Sequence, residues 1–446
     1  MIHRFIFDGV KIVLDVHSGA VHEVDDLAWA LIEDYPRLKL PELVAKYEGR
    51  YDSGEIADAL AEIERLMQEG LLYSPDPYPE GYNRTGESVL KALCLHLAHK
   101  CNLRCRYCFA GQGRFGGEDE LMPASVGRAA VDFLIAGSGR RRRLEIDFFG
   151  GEPLLNFPVL NEIVDYGRSQ GERAGKNLRF TLTTNALLLT EEVADYLEQN
   201  GISVILSIDG RPAVHNAMRS NSYTAVLDSI RRFLAGRKGY DYYLRGTFTR
   251  HNLDFSADVS HLADLGFERL SVEPVVASEE DDFALQLKDI PVVLDEYERL
   301  TRELLQRARN GRPVDFYHFK VDLSGGPCLA RRLSGCGAGH EYLAVAPDGA
   351  LYPCHQFVGR KDYRMGDVTS GDFNRELMGL FRRAHLYNKE QCPGCWAKFY
   401  CSGGCHANAQ AFNGTIFQPY ELGCVLTRKR LECALYLKVQ EAVPAV

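Results

Sequence analysis

The spacing of apolar residues divides the chain into three regions. In residues 1 to about 75, short alternating segments come first: Arg4–Phe7, Lys11–Val16 and Ala20–Val24, separated by Asp8-Gly9 and Ser18-Gly19, which suit hairpin turns. The period then lengthens. Leu27, Ala30 and Leu31 share one helical face, and Ile56, Leu60, Ile63, Leu66 and Met67 recur at three- and four-residue steps. A meander followed by helices predicts a small winged-helix module over 1–75. The Pro and Gly of Ser74–Gly86 mark a linker, placed at 76–90.

From 91 to 312 strand-like and helix-like patterns alternate. The strands are expected at Ala92–Ala98, Leu144–Phe149, Leu178–Thr183, Ile202–Ile208, Tyr243–Phe248 and Arg269–Val272. Helices are expected at Pro123–Ala136, Pro158–Ser169, Glu191–Gln199, Thr224–Ala235, Phe255–Leu265 and Pro291–Arg309. Such β–α units imply a parallel sheet, curled by right-handed crossovers toward a barrel. With six strands rather than eight, the α/β class narrows to a partial (β/α)6 barrel. Residues 313–446 hold nine of the 13 cysteines and many glycines. A segment so rich in Cys and turn residues is expected to lack enough regular structure to organise itself, with bound metal as its staple.

Composition removes several function classes. At 446 residues the chain exceeds one small core, and 46% hydrophobic with 25% charged residues is ordinary globular usage. A net charge of −9 argues against a nucleic-acid partner, which needs a basic surface. The run Arg140–Arg143 reads as a solvated turn. No run approaches the roughly 20 apolar residues that span a membrane, and the N-terminus lacks a signal-peptide pattern. A cytoplasmic protein with no membrane partner is expected. In a reducing compartment its cysteines point to metal or redox chemistry rather than disulfides.

The chemistry concentrates in Cys101-Asn-Leu-Arg-Cys105-Arg-Tyr-Cys108, directly after the first barrel strand. Gaps of three and two residues differ from the paired spacing of zinc sites, and three thiolates can hold a 4Fe–4S cluster with one iron left open. This loop, with Tyr107 as its aromatic residue, resembles that of the radical S-adenosylmethionine superfamily. The motifs after later strands fit, at the strand ends where barrels place active groups. Gly150-Gly151-Glu152-Pro153 resembles the family's GGEP, and Ser207-Ile-Asp209-Gly210 with His215 and Arg219 resembles its SxDGxxxxHxxxR. The resemblance implies that Cys101, Cys105 and Cys108 hold the catalytic cluster. It also implies that S-adenosylmethionine lies against Tyr107, Gly150, Gly151, Glu152, Thr183, Asn185, Ser207 and Arg219. Glu152 and the glycine backbone would meet its amino group, Ser207 its ribose and Arg219 its carboxylate.

The order Cys336, Cys354, Cys392-x2-Cys395-x5-Cys401-x3-Cys405 and Cys424 resembles the SPASM domain, whose relatives carry two auxiliary 4Fe–4S clusters. By that pattern Cys392, Cys395, Cys401 and Cys424 hold the distal cluster, and Cys336, Cys354 and Cys405 the nearer one. Cys328 is its expected fourth ligand, the alternative being an open iron site for a substrate thiolate. Cys94 and Cys433 read as core residues. His355 and His406 stand beside cluster ligands, and Glu273 and Tyr317 at cavity positions, with no role assigned.

The opening segment Asp15–Asp26, Gly335–Gly339 and Tyr352–Gln356 are similar to maturases of SCIFF peptides, over essentially the whole chain. That resemblance implies an oxidoreductase forming a thioether between a Cys thiol and a carbon, expected on Thr, of a Cys-rich precursor peptide. The module 1–75 would capture the peptide's leader, and a flavodoxin or ferredoxin would donate electrons. A formylglycine-forming sulfatase activator, a carbon–carbon peptide cyclase and a non-catalytic zinc-binding scaffold are the alternatives.

Overall fold

The computed structural model describes residues 1–78, 88–237, 241–323 and 329–442, the side chains of 329–331 excepted. Most of the expected linker (79–87) and Cys328 lie outside the described residues. The chain opens with an antiparallel meander, β1 (Ile2–Phe7), β2 (Val10–Asp15) and β3 (Val21–Val24), in the order β1-β2-β3. Three helices follow: α1 (Asp26–Asp34), α2 (Leu40–Tyr47) and α3 (Ser53–Gln68). The Asp25 carboxylate accepts from the Ala28 amide to start α1, and Asp52 with Glu55 closes a capping box on α3.

Strand β2 is apolar on both faces, and the period of two explains its work. Val13 joins Leu27, Leu31, Leu43, Ile56 and Leu60 in a core under the three helices, whereas Ile12, Leu14 and Val16 join the core of the main body. The module is therefore seated on the rest of the chain. The Phe7 ring stacks on Tyr436 at 4.2 Å, the His3 ring lies on Trp396 at 3.6 Å, and Arg302 pairs with Asp8 at 2.8 Å.

The main body is built on strands β4 (Ala92–His99), β5 (Glu120–Leu121), β6 (Arg143–Gly150), β7 (Asn177–Thr184), β8 (Ser203–Ser207), β9 (Tyr242–Phe248), β10 (Arg269–Pro274) and β11 (Asp315–Phe316). Between them run α4 (Ala124–Gly137), α5 (Phe157–Arg173), α6 (Glu191–Gln199), α7 (Pro212–Met218), α8 (Tyr223–Ala235), α9 (Phe255–Asp264) and α10 (Ile290–Arg309). Apart from β5, which pairs antiparallel with the end of β4, neighbours from β4 to β11 are parallel and follow chain order. Leu144, Ile146, Phe148, Leu178, Phe180 and Leu182 point to the helix-covered face and are buried with Val126, Val131, Ile163 and Val164. The alternate positions form an inner face that carries polar groups.

The C-terminal region has more regular structure than its composition suggests. After α11 (Leu329–Ser334), β12 (Tyr342–Val345) pairs in parallel with β4, and β13 (Ala350–Tyr352) and β14 (Gly366–Asp367) extend the same sheet. The first barrel strand is thus an interior strand, which accounts for every residue of Ala92–His99 being buried. Four helices complete the chain: α12 (Arg375–Arg383), α13 (Lys398–Cys401), α14 (His406–Asn413) and α15 (Glu421–Ala442). Among the described residues no helix is long and apolar enough to cross a membrane. Truncating Leu14, fully buried where the meander meets the main body, should lower stability by about 2–5 kcal/mol in denaturant unfolding. A Leu14→Ala variant with an unchanged transition would show that this seat does not hold.

Candidate active site and iron–sulfur centres

The thiol loop 101–108 contains no strand or helix, so its shape comes from what it is tied to. The Arg106 amide donates to the Met218 carbonyl at 2.9 Å, and the Arg104 amide to the Ser220 hydroxyl at 3.1 Å. The Tyr107 hydroxyl donates to both carboxylate oxygens of Asp209, at 2.6 and 2.8 Å. Arg219 Nε donates to Asp209 at 3.0 Å and to the Tyr107 oxygen at 2.6 Å, and the Thr247 amide reaches Asp209 at 3.0 Å. Asp209 is fully buried. His215, also buried, faces the Asp209 amide with one ring nitrogen and the Ser222 hydroxyl with the other, and burial pushes it down to about 3. The SxDGxxxxHxxxR segment is therefore the bracket of the thiol loop.

Cys101, Cys105 and Cys108 stand close enough to act on one another's charge, and burial pushes the Cys105 thiol up to about 11. Buried thiols of this kind become thiolates when a metal centre supplies the positive charge, so the donor set suits one. Asn185 donates from its amide nitrogen to Asn102 at 2.7 Å and lies 3.8 Å from the Cys101 sulfur.

Gly150 and Gly151 have a packing role beside the expected one. A Cβ on Gly150, whose φ is +127°, would sit 2.4 Å from the Ala98 carbonyl, and one on Gly151 would sit 2.2 Å from the Lys100 carbonyl. The end of β6 thus presses on the backbone that launches the thiol loop. Glu152 is buried and accepts from the Thr184 hydroxyl at 2.8 Å, the Asn185 amide at 2.8 Å and the Leu154 amide at 3.1 Å. It ties the ends of β6 and β7 together. Thr183 and Ser207 are half-buried at the ends of β7 and β8, with Ser207 in register with Arg245.

The inner face of the sheet carries charges that no sequence motif marked. Arg245 on β9 pairs with Glu273 on β10 at 3.0 Å, and His318 lies 3.8 Å from the same carboxylate. Burial raises the Glu273 carboxyl, but Arg245, His318 and Arg430 outweigh it and hold the group below its ordinary value. Lower on the face, Asp147 stands in register between Cys94 and Thr181, and burial with Glu145 beside it pushes its carboxyl up to about 7. Cys94 and Cys433 are buried, as expected of core residues. Tyr317 is half-exposed, at the edge of the Tyr243 ring. The His355 ring packs against Phe109 and Phe149.

The C-terminal thiols fall into two groups. Cys336, Cys354 and Cys405 act on one another's charge. Cys392, Cys395, Cys401 and Cys424 line a small cavity of about 40 Å³ with Lys398 and Arg428, and burial pushes Cys392 up to about 12. Among the described residues no three His, Cys, Asp or Glu side chains converge on one point as ligands of a single ion would. The four distal thiols stand around a space instead. His406 stacks on Phe381 at 5.8 Å and is pushed down to about 3 by burial.

A parallel α/β sheet with a three-thiol loop at the end of one strand and seven more thiols beyond it offers the donor groups of an iron–sulfur protein. The chain is a radical SAM superfamily enzyme: residues 95–241 match the Radical SAM superfamily model and residues 336–396 the iron-sulfur cluster-binding domain SPASM. These domains imply 4Fe–4S clusters and S-adenosylmethionine. Among curated relatives, the radical SAM cyclopropyl synthase TigE of Paramaledivibacter caminithermalis is 22% identical over 92% of this chain and 89% of its own. Among solved structures, anSMEcpe with bound AdoMet superposes with a TM-score of 0.65 at 20% identity, over 80% of this chain and 96% of that one. Streptococcus suis SuiB bound to its precursor peptide SuiA gives 0.54 at 15% identity, over 94% and 100%.

With a 4Fe–4S cluster on the thiol loop, replacing Gly151 by Ala should displace the loop and lower the iron content by about four per chain. Iron and sulfide analysis reads this, and full retention would refute the packing role. Asp147 gives a pH dependence. Its folded value lies above the ordinary 3.8, so the stability it contributes is complete below 3.8 and is lost as pH rises through about 7. Asp147→Asn should flatten that fall in melting temperature, and an unchanged slope would exclude the effect.

Proposed function

We propose that the chain is a maturase that forms a thioether between a Cys sulfur and a carbon, on Thr, of a Cys-rich precursor peptide. In this reading the parallel sheet is a partial (β/α)6 barrel. It holds S-adenosylmethionine and a cluster on Cys101, Cys105 and Cys108, with two auxiliary clusters on the C-terminal thiols. The observation that carries it is the sorting of ten thiols into three groups, the first of them at the end of the first parallel strand. When bound, the reduced cluster and S-adenosylmethionine supply a 5′-deoxyadenosyl radical for hydrogen abstraction, and an auxiliary cluster accepts the electron left over. In the net change one C–H and one S–H bond break, one C–S bond forms, and the peptide loses two hydrogens.

The protein's own residues orient and exclude. Arg219, held by Asp209, sets its charge beside Cys105, where it serves the cofactor carboxylate. Gly150, Gly151, Thr183, Asn185 and Ser207 surround the remainder of the cofactor, and Glu152 fixes the strand ends that carry them. Arg245 and Glu273 offer a donor and an ionised acceptor to the peptide. Strands β1 and β3 each pair with β2 alone among the described residues, which leaves an outer edge for a leader strand of a winged-helix-type module. A flavodoxin or ferredoxin would supply electrons.

Carbon–carbon bond formation is a second reading, favoured by the likeness to TigE along 92% of the chain. Mass spectrometry of the precursor peptide after anaerobic, reducing incubation separates the two. The thioether reading expects a peptide lighter by two hydrogens whose modified Cys resists alkylation. The same mass loss with every thiol still alkylated would establish the carbon–carbon reading, and no loss would remove both.

A further inference from the structure

Two lysines are buried beside the distal thiols, and their charges are used differently. Lys398 is satisfied by a carboxylate, with its ammonium 2.7 Å from Asp76. Lys389 is fully buried, and its Nζ donates to the Gly403 carbonyl at 2.6 Å. Burial pushes this amine down, and the groups that counter it and favour the ammonium are Cys392, Cys401, Cys405 and Cys424. His385 and His406 also feel it, and both imidazoles are pushed down, first by burial and then by Lys389. An ammonium sealed among thiols and imidazoles costs several kcal/mol unless negative charge compensates it. Thiolates are the negative charge at hand.

Position matters as much as charge. Cys392, Cys401 and Cys424 belong to the distal group and Cys405 to the nearer one, so a single ammonium acts on both. Its place is built into the backbone. The Lys389 carbonyl accepts from the Cys392 amide at 3.0 Å. Gly403, between Cys401 and Cys405, has φ +89°, and a Cβ there would lie 3.2 Å from Lys389 Cδ and 3.4 Å from Nζ. The lysine stem therefore lies across a position where side chains are disfavoured twice over, by backbone angle and by space.

Resting on the cluster assignment above, we propose that Lys389 is a fixed positive charge shared by the two auxiliary clusters, raising the reduction potential of both. Net charge around a cluster is one of the main determinants of its potential. An added electron makes each cluster more negative, and the neighbouring ammonium favours that state. A higher potential suits a cluster that accepts an electron from the peptide. Lys389 touches neither substrate nor cofactor carbon, so its role is electrostatic rather than catalytic.

The test is EPR-monitored redox titration of anaerobically reconstituted full-length protein, with Lys389→Gln and Lys389→Met beside the wild type. Gln keeps a donor for the Gly403 carbonyl and loses the charge, and Met loses both. The expected result is wild-type iron content with midpoint potentials of both auxiliary signals shifted downward, to a similar extent in the two variants. Unshifted potentials at full iron content would overturn the proposal. So would a shift in Met alone, which would assign the effect to the hydrogen bond. Loss of auxiliary iron from both variants would make Lys389 a folding residue and overturn it as well. Wild-type protein without auxiliary signals would instead refute the cluster assignment, before any variant is compared.

Discussion

The site depends on one buried carboxylate. Asp209 accepts hydrogen bonds from Tyr107 in the thiol loop, from Arg219 after α7 and from the Thr247 backbone on β9. Three segments far apart in sequence meet on it, and water is excluded from the junction. Such a charge is tolerable only while every partner is in place. Removing one partner of a buried pair costs about 3–5 kcal/mol, because the other is left uncompensated. A loop without a strand or helix of its own, made mostly of thiols and polar residues, acquires its shape from this ionic knot.

The same logic explains why the sequence was readable in some places and opaque in others. The parallel strands and their helices announced themselves through period, and Glu191–Gln199 was located to the residue. Local pattern suffices when each element buries its own stripe. The pairing of β12 with β4 had no such signal, because nothing in Tyr342–Val345 says which distant edge it will join. Expecting the Cys-rich region to lack regular structure followed from composition, which is blind to non-local pairing. The grouping of the C-terminal thiols was an expectation from the resemblance, since Cys336, Cys354 and Cys405 lie too far apart for spacing alone to pair them.

Motif residues were found more easily than their physical work. The GGEP glycines suggested close approach of a ligand, and the structure adds an approach of backbone to backbone, at Ala98 and Lys100. Glu152 was noticed for a ligand contact, yet its carboxylate also accepts three bonds that hold strand ends in place. Arg245, His318 and Lys389 belong to no motif. They come from separate strands, turns and loops, and only the fold brings Arg245 and His318 to Glu273 and Lys389 to the C-terminal thiols.

Charge placement gives the main body a direction. On the inner face, Glu273 is kept ionised by Arg245, His318 and Arg430, while Asp147, deeper and beside Glu145, is pushed toward its neutral form. The ionised Glu273 therefore lies toward the strand ends that carry the thiol loop, and the deeper Asp147 is held toward its neutral form. Beyond the sheet, the C-terminal thiols surround a buried ammonium, and Arg428 lines their outer cavity. The C-terminal thiols thus have a cationic surrounding of their own, whereas on the inner face cation and anion compensate in the Arg245–Glu273 pair.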